Sequence, residues 1–467
     1  MYDDVVSPGL KGWLDKKVAG IGTRVAVVGG GLAGCEVAWQ LARAGVGVTL
    51  FEMKPEHFSQ AHSSPMLAEL VCSNSLRSDE PVAATGLLKR EMATLGSLVL
   101  ATARETRVPA GKALAVDRER FAARMTERIA AEPFIRLERR KISSLEDTAL
   151  TGYAAVVIAV GPLATASLAA SLDAAMSNKH LYFYDAISPI VAAQSLDMTR
   201  IFPGSRYQSE DYDYLNCPLD EIAYRRFHAA LSAGEIMPTR DFERELHFES
   251  CMPIEALAIR GEMTLAFGPF RSVGLIDPAT GRCPFAVVQL RAENRERTYF
   301  NLVGCQTKLK YAEQERIFRM LPGLKQAEFV RLGSAHRNTY VNAPLVLDAE
   351  LALKDRPGVY LAGQITGVEG YMESAACGLW VGWLLATKLT GRVLPTPPVE
   401  TALGALLGYL REGRQPFTPS NVHFGLTPEI IGCIKKKDRK VAYAARGEAA
   451  FAAWFAWLVQ EGLTLES

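Results

Sequence analysis

Residues 23–52 read TRVAVVGGGLAGCEVAWQLARAGVGVTLFE. Val25-Ala26-Val27-Val28 is an apolar run rich in β-branched side chains, which predicts a buried strand. It stops at Gly29-Gly30-Gly31-Leu32-Ala33-Gly34, a G-x-G-x-x-G pattern. Val37, Ala38, Leu41 and Ala42 then recur at helical spacing until Ala44-Gly45 closes the pattern. A second run, Val46 to Phe51, ends on an acid, Glu52. Each piece has a physical role in holding a dinucleotide. The glycines allow a tight turn, close approach of a pyrophosphate to the backbone, and close packing of helix on sheet. The helix start offers unpaired N–H groups and a positive dipole end to that pyrophosphate. Glu52 falls where a carboxylate accepts from ribose hydroxyls. The fingerprint by itself does not separate FAD from NAD.

A chain of 467 residues is long enough for more than one domain. Its apolar and charged fractions, 49% and 22%, are those of an ordinary globular protein. No stretch approaches the roughly 20 apolar residues that span a bilayer. Residues 1–22 lack a signal-type apolar core and read as a short extension, so the cytoplasm is the expected location. The eight cysteines (35, 72, 217, 251, 283, 305, 377 and 433) form no C-x-x-C pair, which argues against zinc or iron–sulfur ligation; no metal is expected. In a reducing compartment most should be buried small hydrophobes. With a net charge of +1, a nucleic-acid partner needs a local basic patch, not a global field.

Beyond Glu52, Lys54-Pro55 breaks the strand, and Cys72 appears among small polar residues in AELVCSNSLRSD (68–79). An amphipathic helix follows from Gly86, with Leu88, Met92, Leu95 and Leu98 on one face. Residues 108–118 read as a loop and short strand, and Asp117 is placed to cap a helix over 118–130. The run 154–160 is a strand whose end, Gly161-Pro162, should lie beside the cofactor. From 181 to 330 the texture changes to strands, turns and aromatics, with one helix over 219–233. Parallel-sheet texture returns at 357–364, followed by GVEGYMESAA (367–376) opening a helix through Leu385. A strand, a glycine-rich loop and a helix start placed this late usually complete an FAD site, which favours FAD over NAD.

The expected architecture is α/β: a Rossmann-like FAD-binding domain of the glutathione-reductase-like type with an inserted α+β domain. Its parts are an extension (1–22), the first half of the FAD domain (23–180), an inserted substrate or RNA domain (181–330), the second half (331–395) and a helical segment (396–467). Expected cofactor contacts are Gly29, Gly30, Gly31, Leu32, Ala33, Gly34, Glu52, Gly161, Gly363, Gln364 and Gly370. The last segment carries Lys435, Lys436, Lys437, Arg439 and Lys440, either a solvated helix face or an RNA contact.

These motifs together resemble the folate- and FAD-dependent tRNA (uracil-5-)-methyltransferases. The resemblance rests on VVGGGLAGCEVAWQLA (27–42), FEMKP (51–55), AELVCSNSLRSD (68–79), GLLKREM (86–92), VPAGKALAVDRE (108–119), FESCMPIE (248–255), PFAVVQLR (284–291), HRNTYVNAP (336–344) and AGQITGVEGYMESAA (362–376), in the family's order. A larger sister family, the GidA-type tRNA-modifying flavoproteins, shares the fold. The resemblance implies transfer of a methylene group from 5,10-methylenetetrahydrofolate to C5 of the uridine at position 54 of the tRNA T loop. FAD reduced by NADPH or NADH then completes the methyl group.

The chemistry explains the residues. Uracil C5 is a poor nucleophile until a thiolate adds at C6, so a cysteine is the natural activator. The donated carbon needs two more electrons, hence a flavin. The resemblance maps functional cysteines onto Cys251, as the C6 nucleophile, and Cys72, beside the flavin; the two roles are exchangeable. An ordinary thiol is only a few per cent ionised at pH 7, and Arg77 is a candidate activator. Cys35 and Cys217 are read as structural, and His336 as a structural, folate or RNA contact. Base flipping is expected, with Tyr182, Phe183, Tyr184 or Tyr214 available for stacking. The same motifs fit a ribosomal RNA uridine as target. Two further readings are an FAD-dependent oxidoreductase of a small metabolite and a non-catalytic RNA-binding flavoprotein.

Overall fold

The computed structural model describes residues 23–176, 180–206, 212–237, 252–412, 417–432 and 434–464, without the side chains of 180–185 and 335–337. A five-stranded parallel sheet runs in the order Val359–Leu361, Ala155–Ile158, Arg24–Val28, Gly47–Glu52, Ile135–Arg139. The first strand is central. The chain winds outward from it in one direction through Gly47–Glu52 and Ile135–Arg139, then returns to its other side with Ala155–Ile158. That reversal opens a crevice at the carboxyl ends of the two central strands, where open α/β sheets bind ligands.

Val25, Ala26, Val27 and Leu50 are fully buried, as β-branched and aliphatic runs covered on both faces should be. The helix Leu32–Arg43 packs on the long helix Tyr371–Leu389, which joins a distant part of the chain to the first βαβ unit. Trp383, buried in that contact, donates its indole N–H to Gln40 Oε1 at 3.2 Å and to the Leu95 carbonyl at 3.3 Å.

A second sheet is antiparallel: Phe202–Pro203, Tyr214–Leu219, Ala286–Ala292, Tyr299–Leu302, Ile190–Ala192, Phe329–Arg331. A ribbon of His180–Ala186 and Ala335–Val341 joins the two regions. The apolar core divides accordingly. One cluster draws on residues between 25 and 176 and between 340 and 463; the other draws on residues between 191 and 327. No helix among the described residues is long and apolar enough to cross a membrane.

Local differences from the sequence pattern have identifiable causes. The face Leu88, Met92, Leu95, Leu98 belongs to two helices, Ala84–Thr94 and Leu98–Glu105. Gly96 at φ +75° breaks the first, and Ser97 caps the second by accepting from the Leu100 N–H at 3.1 Å. The buried Glu36 accepts from the Leu98 and Val99 N–H groups, both at 3.0 Å, and fixes that helix start on the first βαβ unit. Residues 214–219 form a strand, and the helix expected from 219 begins at Glu221, capped by Asp220. The helix over 118–131 is capped by Asp117 as its sequence suggests.

Candidate functional site

The crevice at the head of the sheet is built by short-range sequence. Gly29 follows the first strand at φ +106°, and a Cβ there would lie 2.6 Å from the Ala159 carbonyl of the neighbouring strand end. The Gly30 N–H donates to Glu52 Oε2 at 2.8 Å, and the Lys54 N–H donates to Glu52 Oε1 at 2.9 Å. The carboxylate is thereby fixed at the end of the second strand with lone pairs left to face the crevice. Gly31 precedes the helix Leu32–Arg43 without any side-chain cap, and a Cβ on it would meet nothing within 4 Å. The first-turn N–H groups of that helix have no intrahelical acceptor and sit where the crevice is open.

Gly29, Gly30, Gly31, Leu32, Ala33, Glu52, Gly161 and Gln364 line this one cleft, together with Lys54, His62, Tyr371 and Ser374. It encloses about 1110 Å³ including its mouth, room for a dinucleotide. Gly34 and Gly363 lie behind the lining: Gly34 packs on the Gly29 carbonyl and Gly363 on Ala33. Gly370 lines an adjoining cleft instead. The open, uncapped helix start and the oriented Glu52 fit an FAD pyrophosphate and ribose.

That adjoining cleft contains Cys72, Ser73, Arg77, Gln306, Glu369, Gly370 and Glu373, and shares Gln364 and Tyr371 with the first. Cys72 is half-buried. The Tyr371 hydroxyl oxygen accepts from the Cys72 N–H at 2.8 Å and lies 2.9 Å from Cys72 Sγ. The hydroxyl and the thiol share one hydrogen bond, which either group can donate. Burial, followed by the neighbouring Cys72, pushes the Tyr371 pKa well above its ordinary value, so the ring remains a neutral phenol.

The family model described as glucose inhibited division protein A matches residues 24–393. A protein of Oleidesulfovibrio alaskensis, named methylenetetrahydrofolate–tRNA-(uracil-5-)-methyltransferase TrmFO, is 65% identical over 436 residues, 93% of this chain and 98% of its own. The identically named protein of Geobacter sulfurreducens is 54% identical over 434 residues, 92% of this chain and 99% of its own. The chain belongs to this methyltransferase family. Within the wider GidA group, the crystal structure of Aquifex aeolicus GidA superposes with a TM-score of 0.69 at 15% identity, covering 96% of this chain and 75% of that one. It shares the fold, a flavoprotein-type α/β sheet with a second sheet.

Membership in the methyltransferase family sharpens the inventory of thiols. Burial raises the pKa of Cys35, Cys217 and Cys305 above the ordinary thiol value and that of Cys377 to about 11, which keeps all four protonated and inert. The structural reading of Cys35 and Cys217 agrees with this. Cys251 lies outside the described residues. So do the side chains of Tyr182, Phe183, Tyr184 and His336, whose backbones form the two-stranded ribbon. Tyr214 donates its hydroxyl to the Ala110 carbonyl at 2.9 Å, which ties it to the wall of the molecule.

Arg77 lines the cleft of Cys72 and adopts a left-handed backbone at φ +63°, but its guanidinium faces Glu369 and Glu373 at 3.6 and 3.7 Å. Lys435, Lys436, Lys437, Arg439 and Lys440 are exposed at the start of the helix Arg439–Gln460 and line neither cleft. Sequence reasoning missed Tyr371, Arg118 and Arg291 around the thiol. The signal available for Tyr371 was its place in the first turn after Gly370.

Proposed function

We propose that this protein forms 5-methyluridine in tRNA, at position 54 of the T loop, using 5,10-methylenetetrahydrofolate as the one-carbon donor. The observation that carries the reading is the Cys72 thiol in a cleft that shares Gln364 and Tyr371 with the dinucleotide crevice. A thiol beside a flavin site suits a reaction in which a one-carbon unit is transferred and then reduced.

The chain's own residues divide the work. The first-turn amides after Gly31 bind the pyrophosphate, and Glu52 accepts from a ribose. Bound FAD, reduced by NADPH or NADH, supplies the two electrons that take the donated carbon from the formaldehyde level to methyl. Cys251 adds as thiolate to uridine C6, which makes C5 nucleophilic, and leaves once C5 has been alkylated and has lost its proton. Cys72, held by Tyr371, serves the methylene transfer beside the flavin. Gly34 and Gly363 support the crevice from behind, and Gly370 opens the helix that carries Tyr371. Lys435, Lys436, Lys437, Arg439 and Lys440 contact RNA phosphates. Residues 181–330 act as the inserted substrate domain between the two halves of the FAD domain.

The test is direct. Incubated with unmodified tRNA, methylenetetrahydrofolate and NADPH, the protein yields 5-methyluridine by nucleoside mass spectrometry, and S-adenosylmethionine does not replace the folate. Absence of product refutes the reading. Mapping the methylated nucleotide separates position 54 of tRNA from a ribosomal target, and Cys251→Ala abolishes product.

A further inference from the structure

We propose that Arg291 is a positioning residue for Cys72: it clamps the thiol loop from the second sheet and supplies the positive charge that favours the thiolate. The proposal rests on the reading of Cys72 given above.

The loop 70–74 is held from outside its own neighbourhood. Arg291, on the strand Ala286–Ala292, donates from Nη2 to Ser73 Oγ at 2.7 Å and from Nε to Asn74 Oδ1 at 2.7 Å. Asn74, fully buried, donates from Nδ2 to the carbonyls of Ala292 at 2.8 Å and Val116 at 3.0 Å. On the other flank Arg118 donates from Nη1 to the carbonyls of Leu70 at 3.0 Å and Val71 at 3.3 Å. Arg118 is neutralised by Glu293, with Nε and Oε2 2.5 Å apart.

Arg291 is not neutralised in this way. It is 7% exposed, and among the described residues its hydrogen bonds go to a hydroxyl and an amide oxygen, with no carboxylate in ion-pair contact. A buried guanidinium without a counter-ion is costly, and clamping two neutral acceptors does not require a charge. An anion that forms during the reaction, the Cys72 thiolate, gives that charge a partner. The electrostatics run in the same direction. Burial, and then Arg118, pull the Arg291 pKa down, while Tyr214, Glu293 and an ionised Cys72 push it back. Burial also opposes the charge on Arg118, where Glu293, then Tyr371 and Cys72, raise it.

Among the described residues, the other groups near the thiol loop are committed elsewhere. Tyr371 stays neutral, and Arg77 is shared between Glu369 and Glu373. Arg331 is itself pulled down by burial and by Arg118, while Tyr371, Glu69 and Glu293 push it back. On ionisation the thiol proton leaves to solvent through the cleft.

The measurement is the pH dependence of iodoacetamide alkylation at Cys72 in the flavin-loaded protein, read by peptide mass spectrometry, with the exposed Cys283 as internal reference. The Cys72 midpoint is expected below the ordinary thiol value of about 8.5. In Arg291→Gln it rises by about one pH unit, so alkylation near pH 7 slows by roughly tenfold, while Arg291→Lys stays near the parent and Cys283 does not move. A parent midpoint no lower than that of Cys283 overturns the proposal even if Arg291→Gln fails to fold. An unchanged midpoint in folded Arg291→Gln overturns it too. Alkylation does not depend on methyl transfer, so failure of the tRNA assay and failure of this proposal are read separately.

Discussion

Tyr371→Phe removes one oxygen and keeps the ring that lines both clefts. That oxygen accepts from the Cys72 N–H at 2.8 Å, lies 2.9 Å from the sulfur, and is only weakly approached by the Ser73 N–H at 3.4 Å. The change therefore strands one good amide donor and one thiol contact. An unsatisfied buried amide costs about 1–3 kcal/mol, and the longer Ser73 contact adds little. Taking about 2 kcal/mol, the thiol loop opens roughly 30-fold more often relative to its closed form. Hydrogen–deuterium exchange reads this directly: amides of residues 70–74 should exchange about 30-fold faster, while those of the strand Arg24–Val28 keep their rates. The rate of 5-methyluridine formation falls by a similar factor, and flavin content holds because the Glu52 and helix-end contacts are untouched. If exchange at 70–74 and product formation both stay within about twofold of the parent, the hydroxyl does not hold the loop and the reasoning fails.

Glu52→Gln turns one of the two acceptor oxygens facing the Gly30 and Lys54 N–H groups into a donor. A lost charge-assisted bond of about 1.5–3 kcal/mol weakens flavin retention by at least about tenfold, measured as flavin remaining after desalting. Glu91 accepts from the Ala402 and Leu403 N–H groups at 2.8 and 2.7 Å, and burial raises its pKa to about 8 from 4.5 despite them. A carboxyl with a raised folded pKa binds more protons folded than unfolded, so its stabilising contribution is full below about 4.5 and declines up to about 8. The slope is up to about 1.4 kcal/mol per pH unit; denaturation midpoints should fall across that window in the parent and less steeply in Glu91→Gln. Replacing Lys435, Lys436, Lys437, Arg439 and Lys440 by Gln should reduce the slope of log tRNA affinity against log salt by up to about four. The same change should slightly raise thermal stability, because cations at the start of the helix Arg439–Gln460 oppose its dipole.

The sequence discloses the cofactor crevice because that crevice is built by neighbours. Strand, glycine turn, helix start and Glu52 all lie within 23–52, and each element forms for local reasons. The helix break at Gly96 is not legible in the sequence because the apolar spacing of Leu88, Met92, Leu95 and Leu98 continues across it, and periodicity does not register one left-handed residue. The surroundings of Cys72 are hidden for a different reason. Tyr371 is 299 positions away and Arg291 is 217 from Asn74, so no local pattern couples them. Arg77 was the nearest cation in sequence and suggested itself as activator, yet its guanidinium is drawn to Glu369 and Glu373. A charge near in sequence is a poor guide to a charge near in space.

The two clefts ask for different physics, and the chain meets them with different parts. Binding a pyrophosphate needs backbone N–H groups and a helix end, which a single βαβ unit provides. Tuning a thiol needs charges held in a low-dielectric site, and burying a guanidinium is tolerable only where several acceptors converge on it. Around Cys72 those acceptors come from both regions of the molecule: Leu70, Ser73 and Asn74 from one, Glu293 from the end of a strand in the other. The second sheet is therefore more than a platform for substrate. Its strand Ala286–Ala292 braces the thiol loop through Ser73 and Asn74, and Asn74, donating to the Val116 and Ala292 carbonyls, transmits any shift of that strand to the loop. A substitution on that strand far from the crevice, such as Arg291→Gln, should reach the thiol before it reaches the flavin.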